Sequence, residues 1–191
     1  MSTSSSLSRL PLVEGAVTGI ATWALGYMAV YLLIADEIRD SPMHNIIEAF
    51  EGQPATYEMV GWVFYNAHFV NTVFHDLPLF GSHSASYIGG EDGFSVVLYL
   101  IPVAVLLIGG FGVAWYQQAP SPIEGVAAGA TLLPGYLVLV IAGAFLFEVT
   151  IGGATGRPDL LPAIFLGGIV YPLLFAGIGG ALGGVARSTG D

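Results

Sequence analysis

Four long apolar runs punctuate the chain, Leu12 to Ala35, Phe94 to Tyr116, Ile123 to Phe147 and Leu160 to Ala186, and charged residues gather between them. The shortest has 23 residues. At a rise of about 1.5 Å per residue, each is long enough as an α-helix to cross the ~30 Å hydrocarbon core of a bilayer. The first run is too long for a signal-peptide core and lacks a small-residue cleavage site before the next charged segment, so it reads as an uncleaved span. The linker 117–122 (Gln-Gln-Ala-Pro-Ser-Pro) is short, which makes the second and third spans antiparallel neighbours.

The pattern predicts an all-α transmembrane helical bundle of four spans. Residues 1–11, rich in serine, form a disordered tail. A first hairpin covers 12–116 with a long acidic loop over 36–93, a second covers 123–187, and 188–191 is a tail. The loop holds nine of the 14 acids and all four histidines, which marks it as aqueous. Inside it, Val60, Val63, Phe64, Ala67, Val70 and Phe74 recur at helical spacing over 55–75. His68, Asn71, Thr72 and His75 fall at i, i+3, i+4 and i+7 on one polar stripe. An amphipathic helix lying in the membrane interface fits this segment, with the stripe solvated or turned to a partner. About 17 residues would also just suffice for a fifth span.

The two halves resemble each other in order. Glu14-Gly15-Ala16-Val17-Thr18-Gly19 matches Glu124-Gly125-Val126-Ala127-Ala128-Gly129. Ile88-Gly89-Gly90-Glu91-Asp92-Gly93 matches Ile151-Gly152-Gly153-Ala154-Thr155-Gly156. Pro102 with Ile108-Gly109-Gly110 matches Pro172 with Ile178-Gly179-Gly180. The expectation is a pair of tandem two-helix hairpin repeats, parallel if the spans number four and inverted if five. Gly15 with Gly19, Gly125 with Gly129, and Gly180 with Gly184 place small residues on single helix faces, where backbones approach closely in a membrane. Pro102, Pro134 and Pro172 should kink or unwind their spans.

Composition agrees with the pattern. The chain is 54% hydrophobic and 9% charged, against roughly 25% charged in soluble domains, and its mean hydropathy is +0.76. The 14 acids face four basic residues, all arginine, for a net charge of −10. Absence of lysine with excess carboxylate suggests a salt-rich, halophilic setting. No basic patch is available for nucleic acid. The chain has no cysteine, which removes disulfides, thiolate metal sites and cysteine nucleophiles.

Candidate chemistry is sparse. Glu14, Glu124 and Glu148 lie at span ends, where a carboxylate out of water would gain a raised pKa and serve as an ion or proton site. At helix starts the same charge is stabilised simply by free N–H groups and the macrodipole. His68, His75, His83 and Asp76 do not follow a zinc spacing, and His44 sits in an exposed stretch without a signal; no metal and no cofactor are expected. Walker, HExxH and nucleophile-elbow patterns are missing.

The run Gly61-Trp62-Val63-Phe64-Tyr65-Asn66-Ala67-His68-Phe69-Val70, with the Glu14-Gly15 first span before it, resembles an uncharacterised family of small multi-pass membrane proteins from haloarchaea, sometimes loosely labelled transporters. The resemblance covers most of the chain and implies a membrane protein without established activity or site residues.

Three readings follow. A non-enzymatic scaffold or accessory subunit suits the close-packing glycine faces and the lack of a charged path. A small-solute or ion transporter acting as an oligomer suits the duplication, the broken spans and the Glu14/Glu124 pair. A lipid-directed enzyme with His68 or His75 as general base has the least behind it. The expected partners are the lipid bilayer and either a second copy or another membrane protein. The expected location is the cell membrane with both termini cytoplasmic. Arginine counting ties, because Arg9 and Arg187 lie opposite Arg39 and Arg157.

Overall fold

The computed structural model describes residues 11–77, 81–91 and 93–189. The tails expected over 1–11 and 188–191 lie outside these residues except for Pro11, Ser188 and Thr189, as does Asp92 within the second repeat match.

Four helices are long and apolar enough to cross a membrane. They are α1 (Leu12–Arg39), α4 (Val96–Tyr116), α5 (Pro122–Leu146) and α6 (Leu160–Ser188). Between α1 and α4 lie α2 (Pro42–Glu51), α3 (Thr56–Asn66), β1 (Thr72–Leu77) and β2 (Gly81–Ala85). Strands β3 (Val149–Ile151) and β4 (Ala154–Pro158) join α5 to α6. The expectation of an all-α protein is thus corrected: a four-stranded antiparallel sheet of order β2-β1-β4-β3 accompanies the helices.

The interfacial helix expected over 55–75 is also corrected. Only its first half is helical, and α3 at 11 residues is too short for a fifth span. Val60 through His68 are buried without interruption, and Tyr57 in the first turn is the one exposed residue of α3, so no continuous apolar side is left for lipid. The helix stops because the Asn66 side-chain amide donates to the Val70 carbonyl at 2.8 Å. Phe69 then turns at φ +58°. Beyond it Val70, Thr72, Val73 and Phe74 are β-branched or aromatic, and they fit a pleated strand.

All three prolines singled out within spans sit at departures from regular helix. Pro102 follows a 3₁₀ turn, Val96–Tyr99, that opens α4 with Ser95 as N-cap. Pro134 follows the break at Thr131–Leu132, where the amides bond three residues back rather than four. A proline there has no N–H for the preceding turn. Pro172 opens the second of two stretches of α6, Ala163–Val170 and Pro172–Ala176, that wind with i→i+5 hydrogen bonds and are separated by Tyr171.

The chain divides into two compact units, and every long helix contributes to both. The first contains, of the described residues, 11–24, 103–139 and 168–189. Here helices touch backbone to backbone. A Cβ added at Gly125 would lie 2.1 Å from the Gly180 carbonyl oxygen, and one at Gly129 equally close to that of Ala176. A Cβ at Gly184 would meet the Ser121 carbonyl at 2.3 Å. Gly15 and Gly19 press instead on Thr131 and Leu132 at the α5 break, and Gly110 on Ala176. Stacked Phe111 and Trp115, with the Arg187 guanidinium 5.1 Å above the Trp115 ring, mark the far ends of α4 and α6.

The second unit, Leu25–Pro102 with Val140–Gly167, holds α2, α3 and the sheet. Its centre is Val60, Trp62, Val63, Phe64, Ala67 and Val70, all nearly inaccessible. Sheet edges that lack partners are not tolerated in hydrocarbon, so with the long helices in a bilayer the sheet would belong in water or headgroups. The β3–β4 hairpin turns through Gly152 and Gly153, at φ +55° and +93°. Two positive φ values are what the tightest hairpin turns require, and glycine meets that demand without steric cost.

Candidate functional site

The run that opens with Gly61-Trp62 forms the heart of the second unit, and nearly every polar atom in it is engaged. Trp62 donates from Nε1 to the Phe147 carbonyl at 2.7 Å. Its ring meets Phe74 edge-on at 5.6 Å and lies parallel to Tyr87 at 6.2 Å. Gly61 is needed because a Cβ there would fall 2.3 Å from the Phe147 ring. The Tyr65 hydroxyl donates to the Val140 carbonyl, and burial raises its pKa far above the usual range. Asn66 works in both directions, since its Oδ1 accepts the Tyr87 N–H at 2.8 Å while its amide closes α3.

His68 is fully buried. Its Nδ1 donates to the Phe64 carbonyl at 2.8 Å, and its ring sits edge-on to Phe64 at 4.8 Å. Gly167, in the wide-coiled part of α6, packs against it. Burial lowers the imidazole from 6.5 to about 4, only partly opposed by the bond to Phe64. The folded protein therefore refuses a proton that the unfolded chain accepts. The resulting stability is complete above pH 6.5 and is lost as pH falls toward 4. A shift of that size corresponds to about 3 kcal/mol. Denaturant titrations of detergent-solubilised protein are expected to show midpoints falling across this window. His68→Asn, which can keep the bond to Phe64, should flatten that acid limb; an unchanged limb would assign it to another group.

The polar stripe dissolves. Asn71 is exposed and its carbonyl accepts the Asp159 N–H at 2.9 Å. Thr72 is buried in β1 with its hydroxyl unpartnered. His75 is half-buried, 3.5 Å from Ser82 Oγ. A strand alternates sides every residue, so positions that share a helical face part company once the helix has ended. Among the described residues, no three His, Asp or Glu side chains are grouped as metal ligands.

Glu14 and Glu124 are exposed in the first turns of α1 and α5, with Ser121 capping the latter through the Glu124 N–H. Glu148 pairs with Arg157 at 3.0 Å. No hydrogen bond or ion pair joins any two of these three carboxylates.

Several polar groups here were not singled out from sequence. His44, expected to be exposed, is buried with Nε2 2.9 Å from the Thr56 hydroxyl, and this contact fastens α2 to α3. The Tyr27 hydroxyl donates to the Tyr57 carbonyl at 3.0 Å. Beside it, one carboxylate oxygen of Glu58 is buried without a partner. A hydrogen bond to Glu58 pushes the Tyr57 hydroxyl above its usual pKa. A cavity of about 190 Å³ opens between Ile38, Met43, Met59, Trp62, Tyr87 and Phe94, with Glu37 on its wall.

Four bilayer-length helices bearing two short helices and a small sheet fit a multi-pass membrane protein. The chain belongs to a family described as a family of unknown function (DUF7978), whose model matches residues 1–187. No curated protein and no solved structure matches it.

Proposed function

We propose that the protein is a non-enzymatic scaffold or accessory subunit of the cell membrane, with rigid spans and a water-facing cap of α2, α3 and sheet that meets a partner. One observation carries the reading. In the first unit the helices touch through bare backbone at Gly125, Gly129, Gly180 and Gly184, and no charged side chain described there is buried. An ion path through such a unit would need inward-facing polar groups. A transporter acting as an oligomer is the second reading, favoured by the wide-coiled, proline-interrupted α6.

Four spans put both termini on one side, and we place that side in the cytoplasm with the acidic cap outside. A salt-rich habitat accords with the charge composition. Origin of the two halves from one hairpin is supported by their Ile-Gly-Gly turns, since Gly89, Gly90, Gly152 and Gly153 all have positive φ. Weighing against it, matched glycines meet unmatched neighbours, Gly15 pressing on Thr131 but Gly125 on Gly180.

Purification from native membranes in mild detergent is expected to carry a second protein in stoichiometric amount. A chain recovered alone under every mild condition would sink the scaffold reading. In proteoliposomes, the wild type and the Glu14→Gln, Glu124→Gln double variant are expected to be equally inert to protons and cations. Flux in the wild type that the double variant loses would replace scaffolding with transport.

A further inference from the structure

Helix α2 carries one apolar arc that the rest of the protein covers only in part. Ile47 and His44, 1% and 4% exposed, face inward, and α2 rests on β3. Ile46 and Phe50, 55% and 73% exposed, point outward, and Met43, 38% exposed and shared with the cavity wall, lies at their edge. Asn45 and Glu48 take the opposite arc of the wheel, so the outer apolar side is a coherent face rather than scattered residues.

That face is tethered to a span. Only Asp40 and Ser41 separate α1 from α2, and Ser41 caps α2 through the His44 N–H with Pro42 as its first residue. The last exposed apolar pair on α1 is Leu32 and Leu33, 77% and 65% exposed. Seven residues of helix from Leu33 place Asp40 about 10 Å further along the axis, just past a headgroup layer roughly 5–8 Å deep on each side. Exposed aromatic rings lie nearby in the chain: Tyr57 at the start of α3, and Phe69 stacked at 4.6 Å on Tyr99 at the start of α4. Such rings collect at membrane–water boundaries.

We infer that α2 lies along the bilayer surface with Ile46 and Phe50, and Met43 at their edge, turned down into the headgroup layer, which makes lipid the partner of this face. The inference rests on the membrane reading above. Three side chains fall well short of the ~800 Å² per partner that a stable protein interface buries. A bilayer sets no such threshold, because binding grows with whatever apolar area is inserted. The polar arc carries Glu48 and no basic residue, so attachment is apolar and suited to uncharged or zwitterionic headgroups.

Because the chain has no cysteine, single spin labels can be placed through Ile46→Cys, Phe50→Cys, Glu48→Cys and Leu33→Cys in the full chain in phosphatidylcholine nanodiscs. Collisions with oxygen, which concentrates in lipid, are then compared with those of an aqueous nickel chelate. The oxygen-to-nickel ratio is expected to be several-fold higher at 46 and 50 than at 48, and highest at 33. Labels at 46 and 50 as nickel-accessible as 48, with 33 still in lipid, would overturn the inference alone. A nickel-accessible label at 33 would overturn the membrane reading itself. Labels at 46 and 50 shielded from both agents, or broadened by spin coupling that vanishes on dilution with unlabelled chain, would replace lipid by a protein contact.

Discussion

Gly180→Leu is expected to prevent stable assembly of the helices in the first unit, while Gly112→Ala leaves them intact. Both glycines lie in long apolar helices, but their surroundings differ. A Cβ at position 180 would stand 2.1 Å from the Gly125 carbonyl oxygen and 3.1 Å from the Gly129 nitrogen, whereas nothing lies within 4 Å at position 112. The obstacle at 180 is backbone, which cannot rotate aside like a side chain, so the helices must separate. Overpacking usually costs about 1–3 kcal/mol; a clash that forces a helix pair apart belongs among losses of about 4 kcal/mol or more. Within a membrane, that contact has no hydrophobic drive to replace it. Thermal unfolding in detergent, followed by circular dichroism, should show an early transition or none for Gly180→Leu. For Gly112→Ala the change should stay within about 1 kcal/mol, the scale of the helix-propensity difference. Equal melting of the two variants would mean that the glycine contacts do not hold the unit together.

The second large effect is expected from Trp62→Ala. The side chain is 1% exposed, and truncating a buried tryptophan costs about 3–5 kcal/mol. The Phe147 carbonyl would also lose its donor, and Phe74 and Tyr87 a shared ring. An orphaned buried acceptor adds about 1–3 kcal/mol. Trp62→Phe retains much of the packing but not the donor, and should fall between wild type and alanine. Limited proteolysis is the readout, with cleavage inside 36–93 expected to accelerate in the order wild type, phenylalanine, alanine. If Trp62→Phe were cut as fast as alanine, the bond to Phe147 would outweigh the packing.

The four long helices could be read from sequence to within four residues at each end, the first running on past Ala35 to Arg39. The last is expected over Leu160 to Ala186 and observed over Leu160–Ser188. Twenty or more uncharged residues in a row are a local property, and a helix satisfies its hydrogen bonds locally too. Segment 55–75 failed for the opposite reason. β1 lies between β2, the next strand in the chain, and β4, more than 75 residues away, with Thr72 opposite Pro158 and Phe74 opposite Gly156. Helical spacing over Val60 to Phe74 carries no trace of such a partner. A hint existed in Val149-Thr150-Ile151-Gly152-Gly153, a β-branched run ending in a Gly-Gly turn, which is a hairpin signal. The burial of His44 and the bond from Tyr27 to the Tyr57 carbonyl had no comparable hint, because both depend on how α2 and α3 fold back beside α1. Glu14 and Glu124 were correctly located at helix starts, yet position in sequence did not decide whether they face inward; they are exposed.

The wide coil of α6 also bears on bilayer thickness. A helix bonded from each residue to the fifth places more residues in every turn and so gains less height per residue than an α-helix. Alpha6 has 29 residues against 21 in α4 and 25 in α5, and the coil over Ala163–Val170 and Pro172–Ala176 shortens the tallest of these three toward the others. Rewinding it to ordinary pitch would lengthen the helix, so lipids with longer acyl chains should favour rewinding and shorter ones the coil, each change tuning mismatch by fractions of a kcal/mol per Å.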